Sequence, residues 1–131
     1  MAATLEATGL GSLIAVVDDD EAFRASMRRL LRSMGYLTAT FSDAAQFLAS
    51  SVVGDAACLI ADIQMPSMSG IELHRHLVES GREIPTILVT AYADERDEGE
   101  MLKAGVNCYL RKPLNETELI ECLRSALVRS S

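Results

Sequence analysis

Five short apolar runs, each followed by a segment of helical periodicity, divide the chain between residues 13 and 128. LIAVV (13–17), LTATF (37–41), ACLIAD (57–62), PTILVT (85–90) and NCYLR (107–111) have the length and apolar or β-branched content of strands. A chain that alternates strand and helix in this way builds a parallel sheet covered on both faces by helices. Ligands of such sheets bind at the carboxyl ends of the strands. The residue that closes each run is therefore where function is sought.

The intervening segments read as helices. From Asp20 to Met34, Phe23, Met27, Leu30 and Leu31 recur at helical spacing, and Gly35 follows as a terminator. Ser42 is expected to cap a short helix carrying Ala45, Phe47 and Leu48. IELHRHLVES (71–80) is amphipathic and stops at Gly81, and residues 94–104 form a charged helix before Gly105. ETELIECLRSALV (116–128) places Leu119, Ile120, Leu123 and Leu127 on one face, with Asn115 as its cap.

Composition narrows the function classes. A length of 131 residues suits one domain with a proper core. No apolar stretch approaches the ~20 residues of a membrane helix. MAATLEATGLGS has neither a basic start nor a long apolar core, so it reads as a loose leader and not a signal peptide. A net charge of −7 argues against phosphate-backbone binding, which needs clustered Lys and Arg. Cys58, Cys108 and Cys122 form no CxxC pair and are expected to be buried free thiols in a reducing cytoplasm.

The strand ends carry Asp18-Asp19-Asp20, Ser42-Asp43, Asp62, Thr90 and Lys112. One aspartate suffices for a helix cap, and three together repel. Two unit charges ~4 Å apart cost on the order of 4 kcal/mol at an effective dielectric of ~20. The cluster therefore calls for a cation. Asp18-x-Asp20 superficially resembles the DxD motif of haloacid-dehalogenase-type phosphatases, but Ala22 stands where that motif has Thr or Val, and the chain is short for that fold.

VVDDD, ADIQMPSMSG, ILVTAYAD and YLRKPL, in this order and on these strand ends, resemble the motif blocks of response-regulator receiver domains. The resemblance covers residues 12–128, with 1–11 as leader and 129–131 as a terminal end or the start of a linker. It implies a flavodoxin-like (βα)5 α/β fold, a doubly wound parallel sheet of strand order 2-1-3-4-5. With that order the first-strand acids neighbour Asp62, Thr90 lies one strand further, and Lys112 two strands further, roughly 10 Å of backbone that a lysine can span.

By resemblance, Asp62 is the phosphoacceptor, forming an acyl phosphate. Mg²⁺ is implied as cofactor, held by Asp19, Asp62 and the backbone carbonyl of Gln64, with Asp18 acting through water. Asp20 is left to start the first helix. Thr90 and Lys112 are implied to bind the transferred phosphoryl group, and the Lys112–Pro113 peptide to be cis. Thr90 and Tyr109 are implied to be the switch pair, acting on the surface of the fourth helix, fifth strand and fifth helix (α4-β5-α5). The implied partners are a sensor histidine kinase or phosphotransfer protein and a phosphorylation-dependent homodimer, with neither nucleic acid nor membrane bound by this domain. Details such as GIELHRHL resemble receivers that precede helix-turn-helix DNA-binding domains. A receiver-like interaction module that works without phosphorylation is the alternative. His74 and His76, two apart on a helix, share no face for a metal.

Overall fold

The computed structural model describes residues 11–129. The expected leader therefore lies, apart from Gly11, outside the described residues, as do positions 130 and 131. Five parallel strands, β1 (Leu13–Val17), β2 (Leu37–Phe41), β3 (Cys58–Asp62), β4 (Thr86–Thr90) and β5 (Cys108–Arg111), form one sheet in the order β2-β1-β3-β4-β5. The helices are α1 (Glu21–Ser33), α2 (Ala44–Ala49), α3 (Gly70–Glu79), α4 (Glu95–Lys103) and α5 (Glu116–Arg129). A further helical turn, Val52–Asp55, precedes β3.

Strand alternation builds two cores, one on each face. Ile14, Val16, Cys58, Ile60, Ile87, Val89 and Leu110 point to one face and pack with Met27 and Leu31 of α1 and Leu119, Leu123 and Ala126 of α5. Ala15, Val17, Leu59, Ala61, Leu88 and Tyr109 point to the other and pack with Phe47 of α2 and Leu73 and Leu77 of α3. Because β1, β3 and β4 are covered on both sides, they read as continuous apolar runs and not as alternating patterns.

Local chemistry sets the helix ends. Asp20 caps α1 by accepting from the amides of Ala22 and Phe23, and Asn115 Oδ1 accepts from Glu118 N at 3.0 Å. Ser69 and Glu72 form a reciprocal capping box at the start of α3. At α2 the cap is Asp43, whose Oδ1 accepts from Gln46 N at 2.8 Å, and not Ser42, which donates to Gln46 Oε1. The carboxylate one residue later reaches the amide and displaces the expected hydroxyl. His74 is buried on α3 while His76 is not, in keeping with a packing role.

The expectation of three free thiols is corrected. Cys108 and Cys122 are joined by a disulfide, and among the described residues only Cys58 is free. Cys108 opens β5 on the α5 side of the sheet, Cys122 lies on the inner face of α5, and the return from strand to helix brings them together.

Gly70 opens α3 directly under the end of β3. A Cβ built there would lie 2.5 Å from the carbonyl oxygen of Asp62 and 3.2 Å from Leu88 Cδ2. The strand end and the helix start thus pack as bare backbone. Gly70→Ala is expected to lose roughly 1–3 kcal/mol of stability in urea denaturation, in the range of other overpacked sites; an unchanged midpoint would show that the contact is slack.

Candidate functional site

The parallel register delivers the polar strand ends to one rim. Val17 of β1 is paired with Ala61 of β3, so Asp18 comes beside Asp62. Asp62 is paired with Val89, placing Thr90 one step beyond it, and Thr90 is paired with Arg111, the residue before Lys112. Of the sequence-predicted residues, Asp18, Asp19, Asp62, Lys112, Thr90 and Gln64 all meet at this rim.

The three consecutive aspartates divide their work. Asp20 is the helix cap. Asp18 is fully buried, with its Oδ1 accepting from Asp20 N at 2.8 Å and its carbonyl oxygen accepting from Arg24 at 2.7 Å. Asp19 is exposed. One oxygen each from Asp18, Asp19 and Asp62 can be chosen so that all three lie within 4.8 Å of one another. Hard carboxylate oxygens at this spacing fit Mg²⁺, which takes one or two carboxylates and keeps several waters. Gln64 sits two residues beyond Asp62 and donates its amide N–H to Asp62 Oδ1 at 3.2 Å.

Lys112 crosses from the far edge of the sheet to this cluster. Its Nζ lies 2.8 Å from Asp18 Oδ2 and 3.5 Å from Asp62 Oδ2, and 4.2 Å from the centre of the Phe23 ring. The Lys112–Pro113 peptide is cis. Burial alone would lower the Lys112 pKa, but the hydrogen bond and charge of Asp18, joined by those of Asp62, outweigh it and hold the ammonium above its ordinary value. Asp62 is shifted upward, first by burial and then by the like charge of Asp18, with Lys112 offsetting only part of this. One lysine does not satisfy the cluster.

Thr90 is buried, and its hydroxyl is fully engaged. It donates to Gln64 Oε1 at 2.5 Å and accepts from Tyr92 N at 3.0 Å. Tyr109 is buried among the side chains of the α2–α3 face, and its hydroxyl accepts from Asp94 N at 3.2 Å. The ring is thereby tied to the loop that starts α4.

Three contributions escape a reading of the sequence. Phe23 looks like an ordinary core residue of α1 yet lies under the lysine ammonium. Arg24, one turn beyond the acids, pins the Asp18 backbone. The Gln64 side chain, as distinct from its backbone, holds Thr90. Only Gln64 carried a signal, as a polar residue directly after the strand that ends in Asp62.

A family model for the response regulator receiver domain matches residues 14–124. The chain is 37% identical over 116 residues to response regulator protein TodT of Pseudomonas putida, covering 88% of this chain and 51% of TodT. It is 35% identical over 116 residues to transcriptional regulatory protein FixJ of Azorhizobium caulinodans, covering 88% of this chain and 55% of FixJ. The chain thus spans about half the length of these curated relatives. Among solved structures, response regulator StyR matches with a TM-score of 0.84 at 36% identity, over 92% of this chain and 61% of that one. The crystal structure of FixJ-N matches with a TM-score of 0.78 at 33% identity, over 88% and 93%.

Because the folded state raises the Asp62 pKa, it takes up a proton there more readily than the unfolded chain does. As pH rises from the ordinary aspartate value through the raised one, ionised Asp62 therefore subtracts from stability. Asp62→Asn is expected to stabilise the metal-free protein at neutral pH, raising the melting temperature in EDTA. A less stable variant would mean that the Lys112 contact outweighs the cost of burial and the repulsion from Asp18.

Proposed function

The chain belongs to the response-regulator receiver family, and on that premise we propose that it is a phosphoacceptor switch, taking a phosphoryl group from a histidine kinase or phosphotransfer protein onto Asp62. Receiver domains of response regulators are phosphorylated by histidine kinases, which supports the choice of donor. The observation that carries the proposal is the position of Lys112 Nζ, within 3.5 Å of Asp62 and 2.8 Å of the buried Asp18. A cation held over a carboxylate beside a second, buried carboxylate is an arrangement for gathering negative oxygens.

An Asp62 oxygen attacks phosphorus, and the bond from phosphorus to the donor imidazole nitrogen breaks. The imidazole keeps the electron pair, and the product is an acyl phosphate. Lys112 moves from pairing two carboxylates to pairing the transferred oxygens, and positioned cations of this kind stabilise phosphoryl transfer. Asp19, Asp62 and the Gln64 carbonyl are the ligands we assign to Mg²⁺, with Asp18 acting through water. When bound, the ion supplies positive charge for the oxygens that collect there. Water later hydrolyses the acyl phosphate. The domain promotes its own phosphorylation and dephosphorylation and turns over no metabolite.

Thr90 reads the product. To donate to a phosphoryl oxygen its hydroxyl must leave Gln64 Oε1, which disturbs the loop from Thr90 to Asp94. Tyr109 is bonded to the far end of that loop. A local charge change thereby reaches the α4-β5-α5 surface, where we place a phosphorylation-dependent homodimer. The setting is the cytoplasm; among the described residues no helix is long and apolar enough to cross a membrane. The output is transcriptional, through a DNA-binding partner domain and not through this acidic domain itself, a reading supported by the likeness to the transcriptional regulator FixJ.

Incubation with acetyl phosphate and Mg²⁺ is expected to add one phosphoryl group, about 80 Da by intact mass, to the wild type. The gain should vanish in EDTA and in Asp62→Asn. A wild type that binds Mg²⁺ but accepts phosphoryl from neither acetyl phosphate nor a kinase would contradict the proposal.

A further inference from the structure

The disulfide between Cys108 and Cys122 is used by no step of the phosphoryl chemistry. It ties the first residue of β5 to the middle of α5, with Cα atoms 6.1 Å apart, inside the ordinary range for a bridge. The loop it closes contains both Tyr109 and Lys112. In a reducing cytoplasm disulfides of this kind are transient and redox-sensing more often than structural. For that compartment the inference rests on the proposed function above.

The three cysteines are differentiated by their surroundings. Cys58 is fully buried and its thiol is pushed up to about 12 by burial, so it holds almost no thiolate and does not exchange. Of the three, Cys108 alone is only partly buried, and it lies on the edge strand of the sheet, so it is the one best placed to meet a small thiol or disulfide. Contacts independent of the bridge hold both partners. Next to Cys108, Asn107 N donates to Thr86 O at 2.9 Å and Asn107 Oδ1 accepts from Thr86 N at 3.2 Å, clamping β5 to β4. Next to Cys122, Leu119 and Leu123 are fully buried in the core. Neither anchor requires the bridge, so both are available to keep the sulfurs opposed when it opens.

We propose that Cys108 and Cys122 are a reversible dithiol–disulfide couple through which the thiol pool of the cell stiffens or loosens the β5–α5 segment. The oxidant class is a low-molecular-weight disulfide of the glutathione type, RSSR. The Cys108 thiolate attacks one sulfur and releases RS⁻, giving a mixed disulfide. The Cys122 thiolate then attacks the Cys108 sulfur and releases the second RS⁻. The two protons lost by the protein thiols balance the two taken up by the leaving thiolates, so RSSR is reduced to two RSH. Closure restrains Tyr109 and, through its hydroxyl, the Asp94 amide.

The test equilibrates the full chain in glutathione buffers from wholly reduced to wholly oxidised, quenches with an alkylating reagent and weighs the intact protein. The expected result is two alkylated thiols at the reducing end and none at the oxidising end, with Cys58 labelled only after denaturation. A pair that stays oxidised, or stays reduced, across the whole series overturns the couple. Hydrogen exchange at the Asp94 amide and over residues 108–122 should be slower in the oxidised form by about fivefold or more; equal exchange in both forms overturns the mechanical link. Cys122→Ser should exchange hydrogen like the reduced wild type at every ratio and, at the oxidising end, carry one glutathione on Cys108 in place of the bridge, with Cys108→Ser as the second variant if the first does not fold. Phosphoryl uptake is measured on both forms. Its failure in both refutes the phosphoacceptor reading alone, because the thiol titration does not depend on it.

Discussion

The structure depends on burying more negative charge than one lysine neutralises. Asp18 and Asp62 lie on neighbouring strands at the end of a sheet whose interior is otherwise aliphatic, and Asp18 has no exposure to solvent. An isolated buried carboxylate is prohibitive. The Asp18 carboxylate is tolerated because Lys112 and the Asp20 amide bond to it, while Arg24 holds its backbone carbonyl. Asp62 receives a longer contact from the same ammonium and one loop amide, and burial first, then the charge of Asp18, still hold its pKa above the ordinary value. A second cation is what this balance lacks.

Topology turns that deficit into a site. The order β2-β1-β3-β4-β5 sets the acids of β1 against Asp62 of β3, with Thr90 on the next strand and Lys112 beyond it. Side-chain length matches strand distance, since the residue furthest away is the one that can reach. Gly70 lets α3 approach the Asp62 carbonyl as bare backbone, so β3 ends at a fixed place. Outward from the rim, two hydrogen bonds carry any movement of Thr90. One runs from the Tyr92 amide to the Thr90 hydroxyl, and the other from the Asp94 amide to the Tyr109 hydroxyl.

Most of the fold was legible because every strand is short and ends on, or just before, a polar residue, and because β1, β3 and β4 are almost wholly buried. LIAVV and LTATF begin and end where the sequence pattern puts them, and the other three strands differ only by their first residue. The cluster of acids with Lys112 was legible once the strand order was supplied by family resemblance; periodicity alone does not order strands. What escaped depends on side-chain direction. Phe23 under Lys112 and Gln64 on Thr90 are contacts between residues far apart in sequence, with nothing local to mark them. The disulfide escaped for a related reason. Cys108 and Cys122 are separated by a strand, a turn and half a helix, and only strand parity with helix phase would show that both face inward on the same side.

Rim acids that Lys112 leaves short of positive charge should take up a divalent cation. Thermal melts of the wild type across a MgCl₂ series, with ionic strength held constant by NaCl, test it most directly. A ligand that binds only the folded state raises its stability as RT ln(1 + [L]/Kd). The account predicts a melting temperature that climbs steadily with Mg²⁺ beyond the NaCl control. A melting temperature indifferent to Mg²⁺ at constant ionic strength would contradict it, and would mean that Lys112 and the loop amides already satisfy the cluster.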